Sequence, residues 1–158
     1  MAPQVTDFSF WNEMWKQSYY DREKGIRANP LLAYWDKRAN DFSLMRKSND
    51  YDFGRKVYAA LSSVLTPDSS MLDIGAGPGS FTIPFAQHIK SVTAIEPSKG
   101  MVTVLKENAK EVNVENINII EELVQDLPQD GSPDFQFDLV TISLVLWMFP
   151  DVWPRLLQ

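Results

Sequence analysis

The feature that most constrains the fold is a glycine-rich turn, Gly-Ala-Gly-Pro-Gly at residues 75–79, which follows the short, mostly apolar stretch Met-Leu-Asp-Ile at residues 71–74. A helix-like stretch begins directly after the turn, near Ser80. A unit of strand, turn and helix presents backbone N–H groups at the carboxyl end of a parallel sheet, where open α/β folds bind ligands. Glycines suit such a turn because they adopt positive φ and leave room for a ligand. The turn therefore predicts an α/β fold with a ligand site at this edge.

Short apolar runs alternate with helical segments from residue 69 onward, which is typical of βαβ units. The predicted elements are strands at Ser70–Ile74, Ser91–Ile95, Ile117–Ile120 and 137–143, with helices at 81–88 and Lys99–Glu111. The helix lengths suit right-handed crossovers between parallel strands. This order predicts a Rossmann-like, doubly wound parallel sheet. The segment 128–134, rich in Pro, Gly and Asp, is expected to be a surface loop.

The first third of the chain has a helical pattern. A first helix carries Trp11, Trp15 and Tyr19 at four-residue spacing, a second begins at Pro30, and a third spans residues 51–65. The aromatic residues either bury apolar area against the sheet or cover the ligand site. We therefore divide a single structural domain into a helical cover at residues 1–66 and a core at residues 67–158.

Composition narrows the partners. The net charge of −6 disfavours binding to nucleic acid or to an anionic membrane, because neither polyanion gains from an acidic protein. The chain has no cysteine and its only histidine is His88, so a metal site is not expected. The N-terminus lacks a signal pattern and the longest apolar run, residues 139–149, is too short to span a bilayer. A cytoplasmic protein is expected.

The spacing of the glycines distinguishes between nucleotide ligands. The dinucleotide fingerprint requires its third glycine at position 80, where this chain has Ser80, and the glycines instead read G-x-G-x-G. A nicotinamide-dependent oxidoreductase is therefore disfavoured. Asp73 places a carboxylate at the end of the first strand, two residues before the first glycine. This position suits a cationic amino group of the ligand rather than a pyrophosphate.

Glu96 supplies a second acidic position. It ends the second predicted strand, 23 residues after Asp73, close to the spacing at which an acidic residue reaches ribose hydroxyls. A carboxylate accepts from two vicinal hydroxyls, so Glu96 predicts a ribose with free 2′ and 3′ hydroxyls. The alternative is a solvated loop carboxylate.

The segments LDIGAGPGSFTIPFA and VTAIEPSKGMVTVLKENA together resemble motif I and the following acidic-loop motif of class I S-adenosylmethionine-dependent methyltransferases. The resemblance covers residues 69–149, and W-D-x-R-A at residues 35–39 is similar to lid helices of small-molecule members. It implies that S-adenosylmethionine is the cofactor and S-adenosylhomocysteine the product. Asp73, Gly75 and Gly77 would surround the methionine moiety, and Ala76 and Gly79 of the same turn are further candidate cofactor-binding residues.

The resemblance also implies contacts to the nucleoside. Glu96 would bind the ribose, and Pro97, Ser98 and Met101 would border the adenine, although Met101 fits plain helix core equally well. After the third strand the usual acidic position falls on Leu123. Either Glu122 or Asp126 supplies the acceptor instead, or Leu123 and Val124 contribute only packing and main-chain hydrogen bonds.

The stretch FDLVTISLVLWMFPD resembles motif IV, whose residues after the fourth strand face the transferred methyl group. Ser143, Leu144 and Leu146 occupy that place, and no residue stands out as a general base. The Asn/Asp-Pro-Pro-aromatic sequence of many adenine and glutamine methyltransferases is absent, which disfavours methylation of a base or amide nitrogen.

The resemblance implies seven strands, whereas about four are predicted here. We therefore expect a fragment, or a chain completed by a second copy through an exposed fourth strand. The leading hypothesis is a methyltransferase acting on a small molecule. The alternative is a non-catalytic S-adenosylmethionine-binding or interaction module completed by a partner.

Overall fold

A computed structural model describes residues 30–127 and 136–145, and the predicted first helix and the 128–134 loop lie outside these residues. The helices are α1 at Pro30–Ser48, α2 at Asp52–Leu61, α3 at Thr82–Ala86 and α4 at Lys99–Glu111. The strands are β1 at Ser70–Ile74, β2 at Ser91–Ile95, β3 at Ile117–Ile120 and β4 at Leu139–Ile142, and a 3₁₀ turn spans Val124–Asp126.

The four strands form one parallel sheet in the order β3-β2-β1-β4. The chain moves outward from β1 to β3 on one side, and β4 then pairs with β1 on the other side. This reversal is the switch point at which open α/β sheets bind ligands. The register aligns four isoleucines across the sheet: Ile120, Ile95, Ile74 and Ile142. The residues that follow them therefore meet at the same edge. The prediction of a Rossmann-like parallel sheet is confirmed.

Alternating residues of the strands build two apolar layers, as expected for side chains that point to opposite faces of a sheet. Met71 and Val92 pack with Phe85 of α3 and, through partly buried side chains, with α2. On the opposite face, Leu72 and Ile95 pack with Leu127 beside the 3₁₀ turn. In the described residues, α2, α3 and α4 thus contribute to the core on one face, while a short irregular segment covers the other.

The N-terminal helices are integral to this packing. α1 lies on α4, where Ala39, Met101 and Val104 are buried together. α2 approaches the glycine-rich turn so closely that a Cβ atom on Gly54 would lie 2.1 Å from the Ser80 carbonyl oxygen. Only glycine permits this contact. The division of the chain at residue 66 stays a prediction.

Three predicted elements are longer than the observed ones. The fourth strand was expected at 137–143, but Asp138 turns its carboxylate to the Ser70 N–H and hydroxyl, and Leu144 adopts a left-handed φ of 62° just beyond the strand. α3 stops at Ala86 because the N–H groups of His88 and Ile89 both bond the Phe85 carbonyl oxygen. α2 likewise ends at Leu61, where a turn returns Leu65 to its carbonyl oxygen. None of the described helices is both long and apolar enough to cross a bilayer.

Candidate ligand-binding site

The glycine-rich turn follows β1 and is fastened to the end of β2. The N–H groups of Gly75 and Ala76 both donate to the Ile95 carbonyl oxygen, at 2.8 and 3.2 Å. Ala76 is buried in the core below the turn, as the structure places its side chain beside Ile83 and Leu105. The turn therefore has a fixed position relative to the strand that carries Glu96.

All three predicted glycines have positive φ: 72° at Gly75, 55° at Gly77 and 97° at Gly79. Their surroundings differ. A Cβ atom on Gly75 would lie 2.7 Å from the Val145 side chain, and one on Gly79 would lie 2.7 Å from Leu105. A Cβ atom on Gly77 would have no atom within 4 Å. Gly75 and Gly79 are thus required by protein packing, and Gly77 alone presents its α-carbon to open space.

Glu96 lies beside Gly77 and is held by main-chain donors. Its Oε2 accepts from the Gly77 N–H at 2.8 Å and its Oε1 accepts from the Ser98 N–H at 2.9 Å. The residue is only 8% exposed. Burial raises the pKa of Glu96, and the two N–H groups oppose this rise. Because each carboxylate oxygen can accept more than one bond, both oxygens retain acceptor capacity for a ligand.

Asp73 turns toward protein groups within the sheet layer. Its Oδ2 accepts from the N–H and hydroxyl of Thr82, at 3.1 and 2.6 Å, and its Oδ1 accepts from the Thr141 hydroxyl at 2.8 Å. It is 2% exposed, and burial raises its pKa. Asp73 thereby ties β1 to α3 and to β4. A role in binding a ligand amino group stays a prediction.

Ser98 and Met101 lie at the start of α4. Ser98 is the N-cap residue, and its hydroxyl accepts from the Met101 N–H at 3.2 Å. Met101 is 3% exposed and packs against α1, which matches the helix-core alternative for this residue. Pro97, between Glu96 and Ser98, is partly buried. That Pro97, Ser98 and Met101 border the adenine stays a prediction.

The segment after β3 offers three acidic groups that differ in their contacts. Glu121 is exposed and pairs with Lys106 at 2.8 Å. Glu122 and Asp126 are also exposed. Val124 packs below the sheet with Leu127 and Ile95, and Leu123 precedes it in extended conformation. The geometry favours packing for Val124, and a role of Glu122 or Asp126 as adenine acceptor stays a prediction.

Residues 143–145 follow β4 at the same edge of the sheet as the glycine-rich turn. Ser143 is partly buried, and the register of β1 with β4 brings it beside Gly75. Leu144 is 76% exposed and has left-handed φ, while Val145 packs against Gly75. The predicted neighbour Leu146 lies outside the described residues.

Two further side chains, for which the sequence predicts no role, form hydrogen bonds next to the site. Asp36 of α1 accepts from the Ser98 hydroxyl at 2.6 Å and from the Gly100 N–H at 2.9 Å. Asn108 of α4 donates to the Pro78 carbonyl oxygen at 2.9 Å, inside the glycine-rich turn. Their only sequence signal was the W-D-x-R-A segment that contains Asp36. Both contacts join positions far apart in the chain.

A surface depression of about 530 Å³ lies near the amino ends of β2 and β3. It is lined by residues that follow α3 and α4, including His88 and Asn116. None of the predicted ligand residues lines it, so it is separate from the site at the carboxyl ends of the strands.

Comparisons with known proteins agree with this arrangement. A family model described as "Methyltransferase domain" matches residues 71–158, more than half of the chain. The uncharacterized methyltransferase YcgJ of Bacillus subtilis is 33% identical over 82 residues, which cover 52% of this chain and 31% of that protein. The ribosomal RNA small subunit methyltransferase G of Streptococcus gordonii is 29% identical over 137 residues, covering 81% of this chain and 57% of the relative.

A solved structure has the same fold. It is a protein of Methanococcus maripaludis assigned as an S-adenosyl-L-methionine-dependent methyltransferase, with a TM-score of 0.54, 23% identity, and coverage of 65% of this chain and 53% of that one. The chain spans less than two thirds of the length of these relatives. The sheet order, the glycine-rich turn with Glu96 and the family match over residues 71–158 agree, and the chain belongs to the methyltransferase domain family, with the class I, S-adenosylmethionine-dependent fold.

Proposed function

We propose that the chain binds S-adenosylmethionine against the open face of Gly77 and the Glu96 carboxylate and transfers its methyl group to a small molecule. The observation that carries the proposal is the Glu96 carboxylate, which two main-chain N–H groups hold at the carboxyl end of the sheet beside the open face of Gly77. A buried carboxylate aimed by backbone donors suits the two vicinal hydroxyls of an unphosphorylated ribose. Asp73, Pro97, Ser98 and Ser143 complete the proposed donor surroundings.

Methyl transfer asks mainly for alignment of donor and acceptor, which a fixed donor site supplies through proximity and orientation. The described residues offer only Ser143 as a polar side chain directly after β4. The proposed role of this chain is therefore to hold the donor, with the acceptor approaching from the side of Ser143 and Leu144. We assign no general base.

Titration calorimetry tests the donor. We expect S-adenosylhomocysteine and S-adenosylmethionine to bind, and NAD to bind at least about 100-fold more weakly, because position 80 carries Ser80 where the dinucleotide turn needs glycine. Tighter binding of NAD than of either sulfur nucleoside would remove the proposal.

The net charge of the chain bears on whether the methyl acceptor is a small molecule or RNA. A net charge of −6 opposes the counterion-release contribution that supports RNA binding, and this favours a small acceptor. The relative from Streptococcus gordonii is named as a ribosomal RNA methyltransferase, which favours RNA as a second candidate. Incubation with methyl-labelled donor and either a small-metabolite extract or ribosomal RNA separates them. We expect label in the small-molecule fraction, whereas label confined to RNA would support the second candidate.

A cytoplasmic location is also proposed, supported by the absence of cysteine in the sequence.

A further inference from the structure

We propose that Asp36 is a positioning residue for the donor site, which acts through Ser98 on Glu96 and so makes the docking of α1 part of donor binding. This inference rests on the proposed function, because the effect is measured on the donor. The two side-chain hydrogen bonds that Asp36 makes within the described residues both go to the start of α4.

A continuous path of hydrogen bonds joins α1 to the glycine-rich turn. The Asp36 Oδ1 accepts from the Ser98 hydroxyl at 2.6 Å, the Ser98 N–H donates to the Glu96 Oε1 at 2.9 Å, and the Glu96 Oε2 accepts from the Gly77 N–H at 2.8 Å. Asp36 lies inside α1, whereas Glu96 and Ser98 lie between the end of β2 and the start of α4. A shift of the Asp36 side chain is therefore passed through one residue, Ser98, to Glu96, the residue that we propose binds the ribose.

Ser98 is constrained tightly enough to transmit such a displacement. It is 1% exposed, and its hydroxyl has a single proton, which it gives to Asp36. The hydroxyl oxygen then faces the Met101 N–H as the N-cap acceptor of α4. Asp36 thus selects the hydroxyl orientation that caps the helix. The same residue's N–H holds Glu96.

A second, independent observation is the close approach of the two backbones. A Cβ atom on Gly100 would lie 2.7 Å from the Asp36 carbonyl oxygen and 2.8 Å from its Cα. Glycine at this position allows α1 to touch the first turn of α4. The apolar contact between Ala39, Met101 and Val104 continues the interface along both helices.

Asp36 supports the proposed donor site through the hydrogen bonds that it accepts and not through its negative charge. Its negative charge contributes to raising the pKa of Glu96, as does that of Asp73, so charge alone opposes an ionised Glu96. The hydrogen bonds from Ser98 and Gly100, in that order, lower the pKa of Asp36 itself. An asparagine oxygen can accept the same two bonds without the charge. Alanine and asparagine at position 36 therefore separate the two contributions.

The test is titration of the full chain with S-adenosylhomocysteine at neutral pH. We expect Asp36→Ala to weaken binding by about tenfold and Asp36→Asn to restore it to within about threefold of wild type. Gly100→Ala should weaken binding by a similar factor, although alanine favours the helix. Asp41→Ala, which removes an exposed acidic side chain of the same helix, is the matched control and should leave affinity unchanged.

A coupling measurement separates positioning from general loosening of the fold. In a Glu96→Gln background, Asp36→Ala should cost less than about twofold, because its target is already altered. An equal loss in both backgrounds, or an Asp36→Asn variant as weak as Asp36→Ala, would overturn the inference. If Asp36→Ala does not fold, Gly100→Ala replaces it in the same cycle. Wild-type protein that binds no donor overturns the proposed function as well, whereas wild type and Asp36→Ala that bind equally overturn only this inference.

Discussion

At the scale of single residues, the glycines of the turn have separable purposes. Gly77 faces open space at a φ of 55°, whereas Gly75 abuts the Val145 side chain at a φ of 72°. From the sequence, all three glycines were interpreted alike, as room for a ligand and freedom of φ. The structure assigns the room to Gly77 and close protein packing to Gly75 and Gly79.

This difference predicts opposite outcomes for two alanine substitutions. Gly77→Ala should cost only about 1 kcal/mol of folding free energy, from the left-handed backbone, but should reduce S-adenosylhomocysteine affinity at least about tenfold. Gly75→Ala should lower stability by about 2–4 kcal/mol, because its Cβ also collides with Val145. Urea unfolding and calorimetric titration measure the two effects. Equal loss of stability in both variants would show that Gly77 is packed as closely as Gly75.

The raised pKa of Glu96 predicts a pH dependence of donor binding. Burial is the main cause, and the charges of Asp73 and Asp36 add to it against the hydrogen bonds from Ser98 and Gly77. Ribose hydroxyls bind the ionised carboxylate more strongly, so a proton on Glu96 competes with the donor. Affinity should be full above the raised pKa and fall as the pH drops through it, at a higher pH than for an ordinary glutamate. Titrations from pH 8 to pH 5 measure this fall, and Glu96→Gln should abolish most of it.

At the scale of elements, α2 packs closely against Ser80, just after the glycine-rich turn, because Gly54 has no side chain at the contact. Gly54 is buried, and a Cβ atom there would lie 2.1 Å from the Ser80 carbonyl oxygen. Helix propensity alone favours alanine over glycine at an interior position. Packing opposes propensity here, because the obstructing atom belongs to the backbone.

The two effects can be compared within one helix. Ala60→Gly, at an exposed position of α2, should lower stability by about 1 kcal/mol through propensity. Gly54→Ala should also lower stability, by about 1–3 kcal/mol, since the added methyl group displaces α2. Chemical unfolding of both variants provides the comparison. A Gly54→Ala protein more stable than wild type would mean that α2 does not approach the turn this closely.

Local pattern was sufficient to predict the elements of the sheet. β1, β2, β3 and α4 have their predicted bounds because each is a run of one periodicity ended by turn residues. β4 is shorter because the Ser70 N–H and hydroxyl donate to the Asp138 carboxylate, a contact between positions 68 apart that sequence periodicity does not contain. α3 is shorter because the N–H groups of His88 and Ile89 turn back locally onto the Phe85 carbonyl oxygen.

For the candidate site, the sequence predicts where the key residues lie but not which groups they bond. The positions of Gly77 and Glu96 follow from strand ends, since parallel strands bring their carboxyl ends to one edge. The partners of Asp73, by contrast, come from α3 and β4, and those of Ser98 come from α1. Asp36 and Ser98 are 62 positions apart, and no local signal links them.

At the scale of the whole molecule, the order of the strands leaves β4 at one side of the sheet. Among the described residues β4 pairs only with β1, and Val140 on this strand is 44% exposed. The outer edge of such a strand exposes backbone N–H and C=O groups that can pair with a strand of another chain. Association of two copies along β4 stays a prediction.

A charge on this strand tests it. If copies pair along β4, Val140→Lys should shift the protein from dimer to monomer, because lysine on an edge strand opposes pairing. Val64→Lys, at an exposed apolar position after α2, is the matched control and should not change the assembly. Sedimentation velocity across a range of concentrations reports the mass. A monomeric wild type, or a Val140→Lys protein that remains dimeric, would contradict pairing along this strand.

Within the described residues, the turn after β1 and the N-cap residue of α4 both donate to the Glu96 carboxylate, and α1 contacts the same end of α4. The central claim is therefore that Glu96 binds the donor. Calorimetric titration with S-adenosylhomocysteine of wild type, Glu96→Gln and the control Glu115→Gln, at an exposed position near the amino end of β3, tests it most directly. We predict binding to wild type and to Glu115→Gln, and a dissociation constant about 10–100-fold higher for Glu96→Gln, since charge-assisted hydrogen bonds to the ribose are lost. Equal affinity of Glu96→Gln and wild type, or no binding to wild type, would contradict the claim.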